Sequence, residues 1–201
     1  QNWAASRLAW GTPGAPNSVA ATNTAPLILT VQHIPPVPRA TVPVTISASI
    51  GDEQTNGLAV RAWWRMLTNA FVAAPMCDDG AHNDGLPNDG IYAAILPPQT
   101  NLAVVEFYVQ ATDAQGLSRT WPATALNDVG APAQLANALY QVADSVYTGS
   151  QPVFRLVMTE AEKAQLDTIM DSAPGSDAAR NATFISTEGG GTQVRYLTHV
   201  R

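Results

Sequence analysis

Between Pro26 and Pro122, apolar and polar residues alternate in short runs, and each run is cut off by a proline or a turn-forming pair. Val42, Val44, Ile46, Ala48 and Ile50 share one side of such a run, and Leu58, Val60, Ala62, Trp64 and Met66 share one side of the next. Successive side chains of a strand point to opposite faces, so a period of two makes a half-buried strand and does not fit the 3.6-residue period of a helix. The pattern is clearest over Leu102–Thr112, where Ala103, Val105, Phe107, Val109 and Ala111 oppose Val104, Glu106, Tyr108 and Gln110. Leu27–Ile34, Phe71–Ala74, Gly90–Leu96 and Leu117–Trp121 supply further strands, punctuated by Pro35-Pro36, Asn56-Gly57, Pro97-Pro98 and the loop Asp113-Ala-Gln-Gly116. Seven short strands with turn chemistry between them, over about 95 residues, predict an antiparallel β-sandwich across 27–122. Of the adjacent tryptophans, Trp64 is expected to face the core, because its neighbours in the alternation are all apolar.

The flanking segments read differently. Residues 1–26 form an extended, uncharged leader apart from Arg7, with a short strand expected near Ser6–Trp10 and Gly11-Thr-Pro-Gly-Ala-Pro16 preventing any helix. Residues 123–150 read as a linker, within which Asn137–Val142 fits a short strand or a helical turn equally well. In 151–201, Pro152–Met158 alternates as a strand. Thr159-Glu-Ala-Glu162 is then a capping box, with Leu166, Ile169 and Met170 at helical spacing behind it. A helix is expected over Glu160–Asp171, followed by strands at Ala182–Ser186 and Gln193–Val200 joined through Glu188-Gly-Gly-Gly191. The fold expected is therefore mainly β: a sandwich followed by a small α+β segment.

Charge narrows the function classes. Of the 201 residues, 13% are Asp, Glu, Lys or Arg, against roughly 25% in typical soluble domains. Such low-charge, Thr/Asn/Pro-rich composition is common in secreted β-domains. A net charge of −6 with no basic stripe excludes nucleic-acid binding driven by phosphate neutralisation. No apolar run is long enough for a membrane span. The chain has no starting Met and no signal-peptide pattern, and is expected to be a processed product or an excised piece. No Gly-x-Ser-x-Gly elbow is present, the glutamates form no motif, and Gly189-Gly-Gly191 lacks the helix and Lys of a phosphate loop. No catalytic set can be assembled.

One stretch carries metal chemistry. Asp78, Asp79, His82, Asn83, Asp84, Asn88 and Asp89 crowd into Met76–Tyr92, MCDDGAHNDGLPNDGIY. Calcium takes six to eight hard oxygens on flexible loops, and an ion would relieve the mutual repulsion of the acids. Asp79, Asp84, Asn88 and Asp89 are the candidate calcium ligands. The competing reading is that these Asp-Gly tripeptides are turns that cap themselves. Cys77 is a single cysteine, so no intrachain disulfide forms. It reads as a small buried hydrophobe, and a Cys-based zinc site is not expected. His33 and His199 stand isolated on strands with core or surface roles. Trp63 and Tyr92 are candidates for a sugar-stacking pair, and Asn181-Ala-Thr183 is a formal glycosylation sequon.

These segments also carry a resemblance. Trp10–Ser18, WGTPGAPNS, resembles the closing segment of bacterial lamin-tail domains. Met76–Tyr92 and Glu106–Gly116, EFYVQATDAQG, are similar to an immunoglobulin-like module. Gln151–Glu160, QPVFRLVMTE, and Gln193–Tyr196 resemble the opening of a CotH-type kinase domain. The resemblance implies an immunoglobulin/fibronectin-III-like sandwich within a large secreted bacterial protein. The nucleotide- and metal-binding residues of CotH-type domains lie beyond their opening strands, so kinase activity is not expected of this chain. The expected function is a non-catalytic structural, adhesion or spacer module, extracellular or at the cell surface, whose partners are neighbouring domains. Two alternatives stand beside it. One is a self-assembling fibre subunit that adds its leader to a neighbour's sheet edge. The other is a calcium- or carbohydrate-binding module.

Overall fold

A computed structural model describes residues 21–66, 69–145, 147, 149–172 and 177–201. The strand expected near Ser6–Trp10, and the leader as far as residue 20, lie outside the described residues. In chain order the first seven strands are β1 (Leu27–Ile34), β2 (Val44–Gly51), β3 (Ala59–Met66), β4 (Val72–Met76), β5 (Ile91–Leu96), β6 (Val104–Thr112) and β7 (Ser118–Trp121). They are followed by β8 (Ala125–Leu126), β9 (Pro132–Ala133), β10 (Ala138–Gln141), β11 (Val153–Val157), α1 (Glu160–Ser172), β12 (Arg180–Glu188) and β13 (Gly191–Val200).

The chain is mainly β, and its larger part is a two-sheet antiparallel sandwich. One sheet runs β1-β2-β5; the other runs β10-β6-β3-β4, with β7 also on β6. The alternating faces read from sequence meet between them. Val44, Ile46, Ala48 and Ile50 of β2 pack against Val60 and Ala62 of β3 and Val105, Phe107, Val109 and Ala111 of β6, all buried. Trp64 packs on this core as expected. Its neighbour Trp63 lies on the outer side, parallel to Tyr108 at 6.1 Å between ring centroids, with Nε1–H donated to Gln110 Oε1 at 2.9 Å.

The outer margin of β6 is shared. Its residues 104–107 pair with β10, and its residues 109–112 pair with β7. This corrects the reading of 123–150 as a linker. Ala138 and Tyr140 are fully buried in the sandwich core, so part of that segment is a structural strand, and the ambiguity at Asn137–Val142 resolves to β. The two-residue β8 and β9, not expected from sequence, are turned by Asn127. Its Oδ1 accepts the amides of Val129 and Ala131 at 3.1 and 2.9 Å.

The C-terminal unit is an antiparallel sheet in the order β11-β12-β13, with α1 between its first two strands. Thr159 Oγ1 accepts the amide of Glu162 at 3.2 Å, which is the N-cap expected from the capping box. This unit docks on the sandwich. Leu139, which faces away from the main core, joins Val157 and Ile185 in a second small cluster. Thr183 Oγ1 accepts the Leu139 amide at 3.1 Å, and Asn181 Nδ2 donates to the Asn137 carbonyl at 2.8 Å. Tyr196 inserts beside Phe107 and Trp121, with ring centroids 5.8 and 5.5 Å away.

Candidate functional site

The acidic segment Cys77–Gly90 joins β4 to β5, crossing from one sheet of the sandwich to the other. Its path needs left-handed backbone at Gly80, Asn83, Gly85, Asn88 and Gly90, which Gly and Asn adopt at least strain. At Gly85 a Cβ would also sit 2.7 Å from Asp89 Oδ2 and would push that carboxylate off the Leu86 amide it accepts.

Three carboxylates hold this path in shape. Asp84 is only 1% exposed. Its Oδ2 accepts the amides of Asp79 and Gly80 at 2.6 and 2.8 Å, and its Oδ1 accepts that of His82 at 2.9 Å. Burial opposes its charge, but the amides of Gly80, His82 and Asp79 outweigh burial and hold its carboxyl below the usual carboxylate range. Asp78 receives the amides of Asp89 and Gly90 at 3.1 and 2.9 Å. Asp89 receives those of Leu86 and Ile91 at 3.0 and 2.9 Å. Asn83 ties the loop to β2 by donating from Nδ2 to Thr45 Oγ1 at 3.0 Å. Asn88 takes part through its backbone, its amide donating to the Asp78 carbonyl at 3.3 Å.

Of the expected calcium ligands Asp79, Asp84, Asn88 and Asp89, then, Asp84 and Asp89 have both oxygens engaged by backbone amides. Asp79 is placed differently. Its Oδ1 accepts the Ala81 amide at 2.9 Å and lies 2.8 Å from His82 Nδ1. A carboxylate only accepts, so Nδ1 carries the proton. The hydrogen bond from His82 lowers the Asp79 pKa, and the same bond raises that of His82.

Cys77 completes a different group. It is half-buried, and its amide and carbonyl both bond Ala93 of β5 at 2.9 Å. The fold turns Asp79 and His82 back over it, so that one ligand atom from each of the three lies within 4.8 Å of the others. It is the one such group among the described residues. The sequence reading did not group these three side chains; the available signal was the spacing Cys77-x-Asp79-x-x-His82.

The remaining candidates fall out as follows. Trp63 and Tyr92 lie on different sheets and form no stacking pair, since Trp63 is matched with Tyr108 across β3 and β6. His33 is a core residue at 2% exposure, and His199 is exposed. Asn181 of the sequon is buried and bonded to Asn137, so the side chain that would carry a glycan faces inward. Comparison with known proteins finds no family model that matches the chain and no similar curated protein.

Proposed function

We propose that this chain is a non-catalytic, extracellular structural module that holds its neighbours at a fixed spacing. The observation that carries this reading is the way the C-terminal sheet is built onto the sandwich. Tyr196 lies against the main core, and its hydroxyl accepts the His33 amide at 2.9 Å and meets His33 Nδ1 at 2.6 Å. Together with the Thr183 and Asn181 bonds, this makes a joint of buried apolar contact and directed hydrogen bonds. Units meant to move independently are usually connected through smaller, more polar interfaces. A stiff joint suits a spacer. The low charge content supports an extracellular setting, and among the described residues no helix is long and apolar enough to cross a membrane.

Assembly into a fibre by strand addition is less favoured, because two sheet margins are blunted. Edge strand β1 is interrupted by a register shift between Leu29 and Gln32, with Thr30 at φ 42°. Edge strand β4 carries Pro75, which has no amide to donate. Both are devices that discourage edge-to-edge pairing. Light scattering combined with small-angle X-ray scattering tests the proposal: a single species near 21.2 kDa, with a scattering profile fitted by one rigid shape. Filaments, or a hydrolase or kinase activity in the purified chain, would overturn it.

A further inference from the structure

We infer that Cys77, Asp79 and His82 form a binding site for a divalent ion of the zinc class. The argument starts from the ligand types. A thiolate and an imidazole select borderline and soft ions such as Zn²⁺ or Co²⁺, whereas Ca²⁺ wants six to eight oxygens. The loop offers few oxygens for a hard ion, because the carboxylates of Asp78, Asp84 and Asp89 each take backbone amides on both oxygens.

Geometry and charge agree with this assignment. Zinc holds S, N and O ligands at about 2.0–2.3 Å, so tetrahedral ligand atoms stand roughly 3.3–3.8 Å apart. Those of Cys77, Asp79 and His82 already lie within 4.8 Å of one another; an ion bound there takes the place of the His82 Nδ1–Asp79 hydrogen bond, and the neutral imidazole then carries its proton on Nε2. The backbone need not move, because two independent supports aim at the same point. Cys77 is fixed to β5 through both of its main-chain bonds to Ala93. Asp79 and His82 are fixed by the buried Asp84 carboxylate, which grips the amides of both. A thiolate beside Asp79 would be electrostatically unfavourable alone. With an ion of charge +2, one thiolate, one carboxylate and a neutral imidazole form a neutral centre. Three protein ligands leave the fourth position for water or an external ligand. The inference does not depend on the structural role proposed above.

Cobalt is the probe, because thiolate ligation gives a near-ultraviolet charge-transfer band that oxygen ligands do not. Titrating the full chain with Co²⁺ under reducing conditions is expected to raise this band to saturation at an equimolar ratio. Zn²⁺ should bleach it, and a hundredfold excess of Ca²⁺ should leave it unchanged. Cys77→Ser, nearly isosteric, should abolish the band, and His82→Gln should weaken binding by roughly tenfold or more. Three results would overturn the inference: no thiolate band with the unaltered chain, a band that survives Cys77→Ser, or displacement of Co²⁺ by Ca²⁺, which would mark an oxygen site instead.

Discussion

At His33 the chemistry of a single side chain is over-determined. Nε2 lies 3.0 Å from the Pro36 carbonyl, which can only accept, so Nε2 carries the proton and Nδ1 accepts from the Tyr196 hydroxyl. The ring stacks on Tyr140 at 5.0 Å and meets Phe107 edge-on. This surrounding suits the neutral imidazole, and burial pushes the pKa down to about 4 despite the bond to Pro36. Well above pH 6.5 the ring is neutral whether the chain is folded or not, and it makes no pH-dependent contribution. Between 6.5 and about 4 the unfolded chain takes up a proton that the folded one refuses, so stability falls as the pH falls. The loss approaches about 3 kcal/mol near pH 4. Urea denaturation from pH 7.5 to 4 checks this, read as the difference between the unaltered chain and His33→Gln, which cannot titrate. Equal pH dependence in both would show that His33 does not carry the effect.

At the scale of elements, local rules predicted each strand wherever a period-two face was long enough. They also predicted the start of α1. Thr159 accepts the Glu162 amide and satisfies one of the four unpaired amides that open a helix. Thr159→Ala should lower stability by about 1 kcal/mol and reduce the helical circular-dichroism signal, with Thr159→Ser restoring both. Where local rules failed, the element was short. Asn137–Val142 gives no period long enough to separate strand from helix, and only the open margin of β6 decides for β10. The loop Cys77–Gly90 was legible as a run of turns, since Asn and Gly mark the left-handed positions. Which acids would face amides and which would stay available was not legible. That depends on how three successive turns stack, a tertiary matter. Cys77 enters the site because the Ala93 pairing sets its place, and that pairing spans the whole loop.

For the molecule as a whole, the joint between sandwich and C-terminal sheet has a thermodynamic consequence. Leu139 and Tyr140 are consecutive, yet they face two different clusters, one shared with Val157 and Ile185 and the other with Phe107. Unfolding the C-terminal sheet would expose Leu139 and strip His33 of Tyr196, so neither part should melt without the other. Calorimetry is expected to show one transition. Tyr196→Phe, which removes the hydroxyl that satisfies the His33 amide and ring nitrogen, should shift that transition as a unit by about 1–3 kcal/mol. Two separable transitions, or a shift confined to one of them, would show independently folding units and would weaken the case for a stiff spacer.

The sequence by itself determined the class of structure: mainly β, two faces per strand, and one capped helix. These features rest on side-chain alternation and on backbone preferences that act within a few residues. Tertiary structure decided how the pieces combine. It made strand β10 out of an expected linker, sank Tyr196 into the sandwich, and brought Cys77, Asp79 and His82 together. The first two depend on which surface is left open once the other strands have paired, which no short stretch of chain encodes; the third depends on the pairing of Cys77 with Ala93 and on the buried Asp84 carboxylate that turns the loop back.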